Sequence, residues 1–235
     1  MSKIIYEIMH RENCVAQIST VGECKIYLED FMPYDLMLEE SNDFDKRIKN
    51  AMSFYSWCAS RIIPPDRTYA KEILNSIGAS QGVTDRERAQ IALSYHCLSL
   101  LDVFWVKEEN EKIRFEDINL FAHSLSNALV DIALRGHQMT VTNAHLLAND
   151  LSTGGLYPKA WVRKEDGFYL YKDGGRDAVE REVLASKICR CFDCHQVLYE
   201  QGMFENELVS ISKIMTSQRY SLVTYAAYDV YCTNH

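Results

Sequence analysis

Apolar and polar positions alternate early in the chain, as in Ala16, Gln17, Ile18 and Ser19, and again in Cys24, Lys25, Ile26, Tyr27 and Leu28. Successive side chains of a strand point to opposite faces, so residues 3–29 predict a short hairpin around Thr20-Val21-Gly22-Glu23. From Phe44 the period changes. Ile48, Ala51, Met52, Tyr55, Cys58 and Ile62 fall three and four apart, which predicts a helix ending near Ile63, before Pro64-Pro65. A short second helix is expected over 67–77, stopped by Gly78. Thr84, with Glu87 three residues later, forms a capping box for a third helix. Its apolar face would run through Ala89, Ala92, Tyr95, Leu98, Leu101 and Val103 toward Trp105. Residues 107–114 read as a charged connector, and a fourth helix is expected from Phe115 to about Leu134, closed by Arg135-Gly136.

Beyond Gly136 the pattern is strand-like and punctuated by glycines: Met139 to Val141, Ala160 to Val162, Phe168 to Tyr171 and Leu208 to Ile211, with one helix from about Asp177 to Cys191. A last helix is expected from about Tyr220 to Asn234. The expected class is α+β: a hairpin plus helical bundle over 1–136, an antiparallel sheet with one inserted helix over 137–219, and a terminal helix within 220–235.

Composition changes this picture little. With 47% hydrophobic and 25% charged residues, the chain is expected to fold nearly throughout. A formal charge of -8 opposes attraction to phosphate backbones and anionic lipid, so direct nucleic-acid binding is not expected. No apolar run approaches the roughly 18 residues of a membrane span, and an acid at Glu7 interrupts any secretory signal, so the expected location is cytoplasmic, with no membrane partner. Cys14, Cys24, Cys58 and Cys97 are expected to be reduced, mostly buried thiols. Cys189, Cys191, Cys194 and His195 cluster, but no second knuckle of zinc spacing accompanies them. Buried thiols at a helix end are the preferred reading, and no metal site is expected. His96 and His123 sit in amphipathic stretches and read as structural, and Asp102, Glu116 and Asp117 as helix-end or solvated charges.

The chemistry concentrates in the second half. Leu151-Ser152-Thr153-Gly154-Gly155-Leu156-Tyr157-Pro158-Lys159 sets two glycines and a lysine before a strand, where backbone N–H groups can approach a phosphate. A plain hairpin turn has the same signature. Phe168-Tyr169-Leu170-Tyr171-Lys172 then ends an apolar strand on a lysine. Glu182 follows ten residues later on the next helix, placed to orient that lysine.

In their order, the glycine loop, the strand-end lysine, the helix glutamate and the strand leading into Lys213-Ile214-Met215-Thr216 resemble the N-lobe of HipA-like Ser/Thr kinases, including the smaller CtkA-like members. The resemblance covers about residues 137–235. It implies a kinase-like N-lobe over 137–219 that binds ATP. Gly154, Gly155 and Lys159 would be its nucleotide-covering loop, Lys172 its phosphate lysine and Glu182 the partner of that lysine. Lys213 and Met215 would flank the adenine, and Ser152 would match the loop serine these kinases autophosphorylate. Such kinases keep their base and magnesium ligands in a later lobe, in a motif like Asp-Arg-His-x-x-Asn, and none follows Met215. The expectation is therefore an N-terminal region without its C-lobe, with 220–235 as the start of that lobe. As an isolated chain it would be inactive in phosphoryl transfer, taking magnesium only if a C-lobe were supplied, and it would self-associate through 220–235. The partner implied is a protein substrate or an antitoxin-like protein. The alternative is a non-catalytic interaction module, associated with a toxin-antitoxin system or mobile element, that uses a degenerate lobe as scaffold.

Overall fold

A computed structural model describes residues 3–66, 70, 74, 84–123, 157–204 and 206–234. These form an α+β fold with two four-stranded antiparallel sheets. In the first sheet, β1 (Ile5–His10), β2 (Asn13–Ser19), β3 (Cys24–Ile26) and β4 (Phe104–Glu108) lie in the order β3-β2-β1-β4. Helices α1 (Phe44–Ser60) and α2 (Asp85–Leu93) pack on each other. Ile8, Val15 and Ile18 of the sheet share one core with Phe54, Trp57 and Ala89 of the helices. A single helical turn, α3, covers Phe115–Ile118.

The N-terminal part is thus a sheet with helices on it, where a hairpin plus helical bundle was expected. The difference arises after Leu93. The apolar run through Tyr95, Leu98 and Val103 does not continue the helix, because His96 and Cys97 both take left-handed backbone (φ 59° and 54°) and turn the chain. The following residues become β4, which pairs with the free edge of β1 in the register Ile8↔Val106. Trp105, fully buried, donates its indole N–H to the Arg11 carbonyl at 2.6 Å. His96 closes the outer side of β4: its carbonyl accepts from Val106 N at 2.9 Å and its Nδ1 donates to Val106 O at 3.0 Å. It is structural, as expected, but lies in a turn and not in a helix. The helix expected over 67–77, most of the fourth helix and the strand at 139–141 fall outside the described residues.

Asp102 corrects a second expectation. It is no solvated helix-end charge: both carboxylate oxygens accept from Arg61, at 2.7 and 2.9 Å, and one also accepts from Phe104 N at 2.9 Å. Arg61 donates further to the Cys97 and Phe104 carbonyls and lies 4.8 Å from the Trp57 ring centroid. Burial alone would favour losing its proton, and the Asp102 carboxylate outweighs that and holds the guanidinium charged.

The β2–β3 turn docks on α1 through Gly22. Its backbone is left-handed (φ 79°), its carbonyl accepts from Asn50 Nδ2 at 3.1 Å, and an added Cβ would lie 1.8 Å from Arg47 O. Gly22→Ala is therefore expected to destabilise the protein by on the order of 3 kcal/mol, from strain plus overlap. Thermal unfolding should show a Tm several degrees lower. An unchanged Tm would mean that the turn does not dock on the helix.

In the second sheet, β5 (Lys159–Lys164), β6 (Gly167–Lys172), β7 (Tyr199–Phe204) and β8 (Glu207–Lys213) lie in the order β5-β6-β8-β7. Helix α4 (Arg176–Cys189) packs on β7 and β8, burying Val179, Val183 and Ser186 at helical spacing. Trp161 and Phe168 belong to the same core as the first sheet. The outgoing chain is tied down as well: Thr216 Oγ1 donates to Leu100 O, and Leu222 N donates to Leu101 O at 2.7 Å. The last helix, α5 (Tyr225–Asn234), rests Tyr231 against Tyr34, with ring centroids 4.5 Å apart. Among the described residues, no helix is long and apolar enough to cross a membrane.

Candidate functional site

Strand alternation places Phe168, Leu170 and Lys172 on one face of β6. Phe168 is buried and Leu170 packs against the core, so the strand is anchored and its last side chain, Lys172, is held at the sheet end. In register beside Lys172 stand Lys159 of β5 and Ser210 of β8. After Asp173, two glycines lead into α4, Gly175 in left-handed backbone (φ 77°). Glu182 lies on the same side of α4 as the buried Val179, Val183 and Ser186, which turns it toward the sheet.

The result is a connected polar network. Lys172 Nζ donates to Glu182 Oε1 at 3.0 Å and to the Tyr199 hydroxyl at 2.8 Å, and it sits 4.5 Å from the Tyr199 ring centroid. The other Glu182 oxygen accepts from the Ser210 hydroxyl, and Ser210 is fully buried. Tyr199 is fixed in turn, its backbone N donating to Ser186 Oγ at 2.9 Å. Partial burial works to lower the Lys172 pKa, but the contacts with Tyr199 and Glu182 win and raise it above the ordinary lysine value. The site thus presents an ammonium held charged at neutral pH with an oriented side chain, suited to holding an anion and unsuited to acting as a base there.

The other residues singled out by sequence fall in different places. Ser152, Gly154 and Gly155 lie outside the described residues. Lys159 is beside Lys172 in register, as above. Lys213 lies an odd number of residues from Ser210 and so points to the opposite face, where its Nζ meets Asp166 Oδ2 at 2.8 Å. Asp166 is held down to about 2, first by that lysine and then by the Tyr169 hydroxyl, which donates at 2.6 Å. Because this pKa is depressed, the contribution of Asp166 is complete above the ordinary aspartate value and disappears as pH falls toward 2. A carboxyl resonance for Asp166 that titrates near 4 would show that the contact is absent in solution. Met215 is exposed, on a segment that leaves the sheet where Ile214 N donates to Phe168 O. That point is four residues of strand from Lys172, about 13 Å away.

Tyr199, Ser186 and Ser210 were not found by sequence reasoning. Ser210 interrupts an apolar strand, Leu208-Val209-Ser210-Ile211, and a hydroxyl at such a position directly beside a strand-end lysine is the one signal available. Cys189, Cys191 and Cys194 are exposed and not the buried thiols expected: Cys189 is the last residue of α4, past its buried stretch from Val179 to Ser186, and Cys191 and Cys194 follow beyond the helix. Among the described residues, no group of histidine, cysteine or acidic side chains is placed to hold a metal. A separate cavity of about 290 Å³, lined by Tyr6, His96, Glu108 and Glu111, belongs to the first sheet and shares no residue with the Lys172 network. Compared with protein-family models, curated proteins and solved structures, the chain finds no match.

Proposed function

We propose that the chain is the N-terminal region and nucleotide-binding lobe of a HipA-like Ser/Thr kinase, with ATP held through its phosphates by Lys172. One observation carries the reading: a strand-end lysine clamped at 3.0 Å by a glutamate of the following helix. An ammonium on a flexible stem does not hold phosphates in one place unless a carboxylate fixes it, and Glu182, itself fixed by Ser210, does so. Lys159 adds a second cation on the same edge, and the outgoing segment through Met215 is where adenine would lie, with Lys213 turned to the opposite face of the sheet. ATP supplies the transferable phosphoryl group, and Mg²⁺ would be held by residues of a C-terminal lobe. These 235 residues contain no Asp-Arg-His-x-x-Asn motif, so binding and not transfer is the readout. Calorimetry should show ATP binding at least tenfold tighter than adenosine, as one charge-assisted contact to phosphate requires. Equal affinity for the two, or none for ATP, sinks the reading.

A second reading, a non-catalytic interaction module, draws support from the outer face of α4. Leu184 and Ile188 stand exposed there one helical turn apart, with Phe192 exposed just beyond the helix end, as a docking patch for an antitoxin-like partner or a protein substrate would. Self-association through 220–235 is supported by Tyr225 and Tyr228, 81% and 51% exposed. Light scattering is expected to show a concentration-dependent mass that Tyr225→Ser with Tyr228→Ser returns to that of a monomer. A monomeric wild type at every concentration rules this out.

A further inference from the structure

We infer that Tyr199 is a second anion ligand of the Lys172 site and the residue that aims its ammonium, an assignment that rests on reading Lys172 as the phosphate lysine. An ammonium has three N–H donors and no lone pair, so in the 2.8 Å contact between Lys172 Nζ and Tyr199 Oη the phenol oxygen accepts. The phenol keeps its own O–H. Among the described residues no acceptor faces that proton, while Glu182 is committed to Lys172 and Ser210. Tyr199 Oη and Lys172 Nζ stand 2.8 Å apart, and the phenol O–H and the remaining ammonium N–H make one neutral and one charged donor on atoms spaced to serve one phosphate group.

The tyrosine is built to hold this position. Its backbone is paired with Ser212 in the sheet and donates to Ser186 Oγ of α4, and its ring lies 4.5 Å from the ammonium it orients. The helix and two strands thus converge on the tyrosine as much as on the lysine. The ligand class is an anion with several oxygens, a phosphate ester or polyphosphate.

The test uses Tyr199→Phe, which keeps the ring and removes only the hydroxyl. Calorimetry is run with tripolyphosphate and with ATP, and the Lys172 Nζ resonance is titrated with pH. Expected are about tenfold weaker tripolyphosphate binding in the variant and a lower Lys172 titration midpoint, because one of the contacts that raise it is gone. In the wild-type chain, the Tyr199 Cζ and Lys172 Nζ resonances should shift together as tripolyphosphate is added, a readout that does not depend on the variant folding. Unchanged affinity or midpoint in Tyr199→Phe, or no tripolyphosphate binding by wild type, overturns the inference. If tripolyphosphate binds and the variant weakens it while ATP gains nothing over tripolyphosphate, the nucleotide reading falls and the role of Tyr199 stands.

Discussion

Arg61→Leu is expected to lose about 3–5 kcal/mol of stability, because it leaves a buried carboxylate without its cation. Asp102 is only 15% exposed and accepts two donors from Arg61, so in the variant its charge keeps a single donor, Phe104 N. The carbonyls of Cys97 and Phe104 lose donors at the same time. The Cys97 carbonyl belongs to the left-handed turn that delivers β4 to the first sheet, so the loss reaches the pairing of β1 with β4. Arg61→Lys is expected to recover little, since an ammonium can neither fork onto both carboxylate oxygens nor lie flat over Trp57. Arg61→Leu with Asp102→Asn should recover part of the loss, as no uncompensated charge remains. Urea unfolding of the three variants measures these terms. An Arg61→Leu variant within about 1 kcal/mol of wild type would show that Asp102 reaches water in solution.

Local signals in the sequence were enough for the elements that depend on local physics. The Thr84–Glu87 capping box is present in both directions, and α1 begins at Phe44, where the helical period begins. Three of the four strands of the second sheet, and the lysine ending β6, follow from the strand-like runs and the glycines that punctuate them. Elements that exist only through a distant partner were not legible. Nothing within residues 94–108 distinguishes a helix that continues from a turn plus strand, because the choice is made by the unpaired edge of β1, about a hundred residues away in sequence. Asp102 likewise reads as a surface charge until Arg61, 41 residues earlier, is placed against it. At the candidate site, the spacing of Lys172 and Glu182 over one strand-to-helix connection was readable. The hydroxyls of Ser210 and Tyr199 were not, because they enter from strands whose order in the sheet sets their neighbours.

On the nucleotide reading proposed above, Lys172→Met is expected to weaken ATP binding by about ten- to a hundredfold while moving Tm by only a few degrees, and this contrast separates a binding residue from a structural one. The affinity loss would follow from removing the oriented cation proposed to meet the phosphates, where a charge-assisted contact carries about 1.5–3 kcal/mol. The stability change is small because the pair is partly open, Lys172 21% and Glu182 35% exposed, so solvent screens it, and Ser210 still donates to the stranded carboxylate. Glu182→Gln should fall between: the lysine stays charged and bonded to Tyr199, but loses its anionic partner and some of its orientation. The pH dependence has a definite sign. Because the folded lysine pKa is raised, its contribution to stability is complete below the ordinary lysine value and is lost as pH rises through the folded one. Lysine charge therefore contributes no change in ATP affinity between pH 6 and about 9, and loss should begin only in the alkaline range. A Lys172→Met variant that binds ATP as wild type does, or an affinity that falls tenfold between pH 6 and 8 through deprotonation of Lys172, would remove the lysine from the site.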